Sequence, residues 1–327
     1  MRLVVAIAFD EPWSSVSRLV AYGAYAQRIG LSVVFALLPR ERERRPFDLA
    51  AFSPTLSAPA VALTRLEPSR DDVVMFSTPQ VHHAMEARYG KITPRFIHLI
   101  QSGVAASVLA DVGYGYRLLS KPLKRIVVSA HAEATIRRLV GDGVAMERID
   151  AAFDLGPFAQ EISAKAPFAA AINAFDNELT GEALDVARQR GFTGKLNVVA
   201  AQSPLEVRAA AYRNSAVLIS SPRLGEGVCQ PVHEAMAAGC AIIMADCEAV
   251  RSLPDGAAPA ILVPQDHRDG IVEALLELAG LPAKARLPMQ QAAQRSLPLE
   301  AARAARAAEE AAASAAFAAF VAEPEGV

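Results

Sequence analysis

The chain is 327 residues long, 52% apolar and 21% charged, a length that holds two domains of roughly 150 residues and a composition that is globular rather than disordered. Its net charge of −2 is unevenly divided: residues 1–157 hold 19 Lys+Arg against 15 Asp+Glu and the remainder 14 against 20, so neither half has the basic excess that nucleic-acid binding needs. No run of about 18 apolar residues lacks a charge, which argues against a membrane-spanning helix.

The opening MRLVVAIAFDEPW has an apolar stretch too short for a signal peptide and is closed by Asp10 and Glu11, so it reads as a first buried strand over 3–9. A helical pattern follows over 16–29, Gly30 stands where a helix C-cap belongs, and 32–38 is the next strand. The run Arg40-Glu41-Arg42-Glu43-Arg44-Arg45 reads as a solvated loop, with contact to anionic lipid or an acidic acceptor as the alternative. Further strands are predicted at 58–64, 72–77, 95–100 and 124–129, with a helix over 131–140. His82 and His83 are read as preceding a helix, and His98 as a core histidine inside a strand.

Residues 154–167, with Gly156, Pro157 and Pro167, read as a linker, after which the α/β pattern restarts. Strands are predicted at 168–173, 196–201, 216–220, 241–245 and 260–264, with helices at about 180–190, 204–213, 231–238 and 269–279. The tail from Pro298 to Ala322 is an alanine-rich helix carrying Phe317 and Phe320. The expected architecture is α/β: Rossmann-like domains at 1–156 and 157–296 facing each other across a cleft, and residues 297–327 packing back across them or binding a protein partner. Three cysteines, Cys229, Cys240 and Cys247, are odd in number and lack CxxC spacing; they point to a reducing compartment and to neither a disulfide framework nor a metal site.

The segment 216–246 carries the most chemistry. A buried strand ends at Ser220-Ser221-Pro222, a loop carries Glu226-Gly227-Val228-Cys229-Gln230, and a helix starts near Pro231. Free N–H groups at a helix start and the helix dipole make this an anion site, and Gly227 lets the backbone approach a ligand. Glu226 on the loop and Glu234 in the helix can accept hydrogen bonds from a hydroxyl-rich ligand.

With Glu226 and Glu234 separated by seven residues, and with Gly227, Pro231, Ala235, Met236, Ala237 and Gly239, this segment resembles the nucleotide-sugar site of retaining GT-B glycosyltransferases of family 4. The resemblance implies a GT-B fold and a hexosyltransferase-type enzyme. Glu226 would contact the donor sugar and Glu234 the ribose, with Arg223, Gly227, Val228, Cys229 and Gln230 lining the donor loop. Residues 95–140 are similar to the same region of a rhamnosyltransferase-like subgroup through Gln101, Tyr116 and Ser129, and Gln101 takes a position near the donor. The implied protein is cytoplasmic, or peripheral to the inner face of a membrane, and works in cell-surface polysaccharide synthesis. It would use a nucleotide-sugar as donor substrate, with no metal and no other cofactor, and transfer to a glycan, lipid-linked or protein acceptor.

The chain departs from that pattern where a diphosphate leaving group needs positive charge. The family carries an Arg and a Lys after the first strand of its second domain, whereas residues 169–180 here hold no basic residue and include Asp176 and Glu178. The first loop lacks the family's glycines, with Pro12-Trp13-Ser14-Ser15 in their place, and Cys229 stands at a position that is usually glycine. Three readings stay open: an active transferase drawing phosphate contacts from Arg223, Lys121 or backbone N–H groups, a catalytically degenerate sugar- or protein-binding module, and an enzyme of another GT-B class such as an epimerase. His82 or His83 could assist proton transfer, His233 could touch a ligand or pack on the helix face, and Cys229 is a reactive thiol or a small loop filler.

Overall fold

A computed structural model describes residues 1–8, 13–38, 52, 56–101, 114–165, 168–173, 178–200, 203–222, 228–253 and 260–322. The charge run at 40–45 lies outside them. The chain divides into two compact units, Met1–Ala151 with Ala307–Val327, and Ala152–Arg306.

The first unit alternates strands and helices. In order they are β1 (Arg2–Ala8), α1 (Trp13–Arg28), β2 (Ser32–Leu38), β3 (Ala60–Ala62), β4 (Asp72–Phe76), α2 (Pro79–Tyr89), β5 (Arg95–Ile100), α3 (Tyr114–Ser120), β6 (Lys124–Val127), α4 (Ala130–Val140) and β7 (Glu147–Arg148). The strands form one parallel sheet in the order β3-β2-β1-β4-β5-β6-β7. Central strands such as LVVAIA of β1 are buried on both faces, which explains their unbroken apolar runs. Gly23 of α1 has its place for a reason: a Cβ there would meet the Phe35 ring at 2.7 Å, so helix and sheet approach more closely than any larger residue permits.

Helix starts are marked by side chains that accept otherwise unpaired backbone N–H groups. Thr78 Oγ1 accepts from Val81 N at 3.4 Å, with Pro79 in the first turn of α2. Ser129 Oγ accepts from Ala132 N at 3.1 Å to start α4. The Thr78 cap places His82 inside α2 rather than before a helix. His82 is buried there between Phe76 and Phe96, each with its ring centroid 4.8 Å away. His83 is exposed. His98 stacks on Phe76 at 4.8 Å and is fully enclosed in β5.

The second unit contains β8 (Ala169–Asn173), α5 (Glu178–Gln189), β9 (Lys195–Val199), α6 (Leu205–Arg213), β10 (Val217–Ser220), α7 (Gln230–Ala237), β11 (Ala241–Ala245), β12 (Ala260–Val263), α8 (Arg268–Gly280) and α9 (Ala283–Arg295). Its parallel sheet runs β12-β11-β10-β8-β9, with one apolar cluster on each face. The segment read as a linker is partly built into this unit. Phe158 is fully buried against Tyr212, ring centroids 6.0 Å apart, and Lys165 Nζ donates to the carbonyls of Tyr212, Ser215 and Ala238. Helix α9, absent from the sequence reading, contains Pro288 and is fixed by Gln290 Nε2, which donates to Ala216 O at 3.1 Å.

The last helix, α10 (Leu299–Ala322), starts in the second unit, and from Ala307 onward its residues belong to the first. Ala313, Phe317 and Phe320 enter the cluster of Leu19, Tyr22 and Tyr25, with Phe317 edge-on to Tyr22 at 6.1 Å. A buried ion pair joins Arg18 to Glu309, and Tyr25 Oη donates to the same carboxylate at 3.5 Å. The helix's two phenylalanines are thus covered by the chain's own core.

Candidate functional site

The strand–loop–helix of 217–237 starts with a fully buried strand. Beyond β10, Ser221 Oγ accepts from Thr180 Oγ1 at 2.9 Å, and both side chains are buried. Arg223, Glu226 and Gly227 lie outside the described residues, which resume at Val228. Cys229 is the N-cap residue of α7, its thiol buried 3.9 Å from Ser220 Oγ. It fills the turn at the helix start rather than facing solvent. All three cysteines are buried and unbridged.

Pro231 stands in the first turn of α7, where its missing N–H costs nothing. His233 turns back, its Nδ1 donating to Cys229 O at 2.9 Å and its ring 5.0 Å from Phe153, so it packs on the helix face. Val232, Ala235, Met236 and Ala237 are buried as well, so the helix is enclosed around much of its girth. Gly239 ends the helix at φ +69°, a left-handed conformation, with Ile162 so close that a Cβ would meet it at 2.8 Å. The EAMAxG string is therefore a packing solution as well as a ligand motif.

Glu234 is the most informative side chain. It is 2% exposed, and its Oε1 accepts from Arg208 Nη2 at 2.9 Å and from Gln230 Nε2 at 2.8 Å. Oε2 makes no hydrogen bond among the described residues. Burial pushes the Glu234 carboxyl above its ordinary value, against the opposing pull of Arg208 and the Gln230 bond. Arg208, on α6, is itself 6% exposed and lies 5.8 Å from the Phe158 ring. Sequence reading missed it because its partner is 26 residues away, a separation that no local motif spans.

Gln101, just beyond β5 in the first unit, donates through Nε2 to Ser15 Oγ at 2.8 Å and to Ser15 O at 3.1 Å. It braces the start of α1. Ser129 serves as the α4 cap, and the Tyr116 side chain lies outside the described residues. Lys121, named above as one source of phosphate contacts, lies away from Gln101. It pairs with Glu86 and precedes β6, at the strand edge opposite the one from which Gln101 emerges. Among the described residues, no three His, Cys, Asp or Glu side chains cluster as metal ligands would, and no helix is long and apolar enough to cross a membrane.

Residues 176–280 match a family model described as "Glycosyl transferases group 1". No curated protein matches the chain. Among solved structures, sucrose-phosphate synthase from Thermosynechococcus elongatus is similar over 98% of this chain and 100% of its own, with a TM-score of 0.67 at 13% identity. Anabaena HepE in complex with UDP-glucose covers 94% of this chain and 98% of its own, at TM-score 0.63 and 11% identity. A trehalose-6-phosphate synthase, studied for glycosyl transfer with retention, covers 98% and 99% at TM-score 0.56 and 11% identity. Identities this low carry the fold alone. It is α/β with two parallel sheets, matching the GT-B glycosyltransferases.

Proposed function

We propose that the chain is a glycosyltransferase that moves a sugar from a nucleotide-sugar donor to a hydroxyl of a glycan, lipid-linked or protein acceptor, with retention at the anomeric carbon. The carrying observation is the strand–loop–helix that bears Glu226 and Glu234, which falls within the region matched to group 1 glycosyltransferases. The bound UDP-glucose of HepE and the retention studied in the trehalose-6-phosphate synthase support the donor class and the stereochemistry.

In this reading the second oxygen of Glu234 accepts the ribose hydroxyls while Arg208 and Gln230 hold the first in place. Glu226 receives the donor sugar, and the N–H groups at the start of α7 face the diphosphate. The bond from the anomeric carbon to the diphosphate breaks, the leaving group keeps the electron pair, and the acceptor oxygen bonds to that carbon as it loses its proton. Gln101 belongs to the acceptor-bearing unit, beside α1.

Titration calorimetry with UDP, GDP and dTDP tests the reading. One nucleotide should bind. Glu234→Gln should weaken it about tenfold or more, the loss of a hydrogen bond to a charged group, whereas Glu226→Ala should leave nucleotide affinity intact and abolish turnover. Absence of binding to all three would refute the transferase reading and favour a GT-B module binding sugar or protein. Two observations lean that way: residues 169–180 lack any basic residue, and one oxygen of Glu234 is already occupied by its own chain.

A further inference from the structure

A second concave surface lies in the first unit, at the edge of the sheet where β5 and β6 begin. It is an open cavity of about 1170 Å³ walled by the loops that lead into those strands. Gln101 and Ser129 emerge from the opposite ends of the same strands. The sheet is parallel, so its two edges are separate surfaces, and nucleotide-type ligands of such sheets use the carboxyl edge. The cavity is thus independent of the proposed donor site, and its function does not rest on that reading.

Its lining is strongly basic. Among the described residues it holds Arg70, Lys91, Arg95, Lys121, Lys124 and Arg125 beside one carboxylate, Glu86. Glu86 is already paired with Lys121 and lies 3.4 Å from the ring of His82. Burial pushes His82 down to about 4, which keeps it neutral at physiological pH. The walls are fixed in place. Arg125, 3% exposed, donates to the carbonyls of Leu118, Leu119, Lys121 and Leu123, which fastens the turn between α3 and β6. Arg95 donates to Phe320 O at 2.6 Å and lies 4.9 Å over that ring, which ties the cavity to α10. Arg70, Lys91 and Lys124 stay exposed.

Like charges gathered in a concavity raise the local potential and concentrate anions there. Several lysine point charges beside arginine forks suit phosphate oxygens better than a lone carboxylate, which could satisfy only one of them. We propose that this cavity binds a soluble, multiply charged phosphate compound, an oligophosphate or a polyphosphorylated metabolite, as a ligand separate from the sugar donor. A soluble anion rather than a membrane is favoured because the charges line a hollow instead of crowning an apolar protrusion.

The test is titration calorimetry of the full chain with inorganic tripolyphosphate at about 0.15 M salt, where exposed charges are screened beyond about 8 Å. One site per chain is expected. Lys91→Glu with Lys124→Glu should weaken it at least about tenfold. Lys195→Glu, a reversal on the exposed end of β9 in the other unit, should leave it unchanged. Excess UDP should not displace it, and Glu234→Gln should bind tripolyphosphate as the parent does. The proposal is overturned by absence of binding, by equal binding in the Lys91/Lys124 variant, by displacement with UDP, or by capture on phosphatidylglycerol vesicles that tripolyphosphate does not compete away.

Discussion

Replacing Arg208 with methionine isolates the buried pair at the candidate site. Methionine keeps much of the arginine stem's packing but removes the guanidinium, leaving the Glu234 carboxylate 2% exposed with only Gln230 to bond it. Stripping one partner from a buried ion pair costs about 3–5 kcal/mol, because the remaining charge stays desolvated. The Gln230 bond should hold the loss toward the lower end. Removing both charges is a different perturbation. The double variant Arg208→Met, Glu234→Gln leaves no buried charge, so it should recover most of the loss, as replacing whole buried pairs often does.

The pH dependence gives a second check. Burial already raises the Glu234 carboxyl, and losing Arg208 raises it further. A carboxyl whose folded value lies above its unfolded value of about 4.3 binds protons more tightly in the folded state. The single variant should therefore be least impaired below that unfolded value and lose stability as pH rises through the folded one. Hydrogen exchange of peptides spanning β10 and β11, normalised for intrinsic rates at pH 5 and pH 8, reads this locally. Protection should fall about a hundredfold or more in the single variant at pH 8, by less at pH 5, and little in the double. A single variant no worse than the double, or a penalty that grows toward acid, would refute the reasoning.

Two further outcomes follow from the first unit. Phe317→Ala should destabilise it by about 3–5 kcal/mol, since the ring is 1% exposed within the cluster around Tyr22 and Tyr25; exchange in β1 should accelerate, and a change confined to α10 would show that the helix is only laid on. Burial pushes His98 down to about 3 and His82 to about 4. The unfolded state then binds more protons below about pH 6.5, and stability should fall by about 1.4 kcal/mol per pH unit for each histidine as pH drops toward those values. His98→Phe, which keeps a ring against Phe76, should flatten the acid limb of a urea-denaturation series; an unchanged slope would refute the assignment.

The strands of both sheets other than the exposed two-residue β7 could be read from the sequence, because a strand buried on both faces announces itself as a short apolar run. Predicted and observed limits agree to within a residue or two for β2, β5, β8 and β11. What escaped was set by tertiary context. Pro282 and Pro288 punctuate α9 and hide its period, yet Gln290 and Arg286 anchor it to backbone carbonyls of its own unit. Pro157 made 154–167 look like a linker, although the neighbouring Phe158 is a core residue. The start of α2 was readable in Thr78-Pro79, a cap followed by a proline, and overlooking it put His82 on the wrong side of the helix start.

The site was legible in part for the same reason. Glu234 and Gly239 belong to one continuous helix and its end, so their spacing carries their geometry. Charge balance does not work that way, and here it decides the chemistry. Among the described residues of the second unit, the buried Arg208 and Arg286 and the half-buried Lys165 are already bonded: Arg208 to Glu234, Lys165 to three backbone carbonyls, Arg286 to carbonyls at the end of α8 and beyond. Of the three, only Arg208 has its charge balanced by a carboxylate. In the proposed function the donor's phosphates draw on the N–H groups at the start of α7. Under the proposed function, Glu226→Ala should cost turnover and leave the fold's stability unchanged, whereas Arg208→Met should cost both.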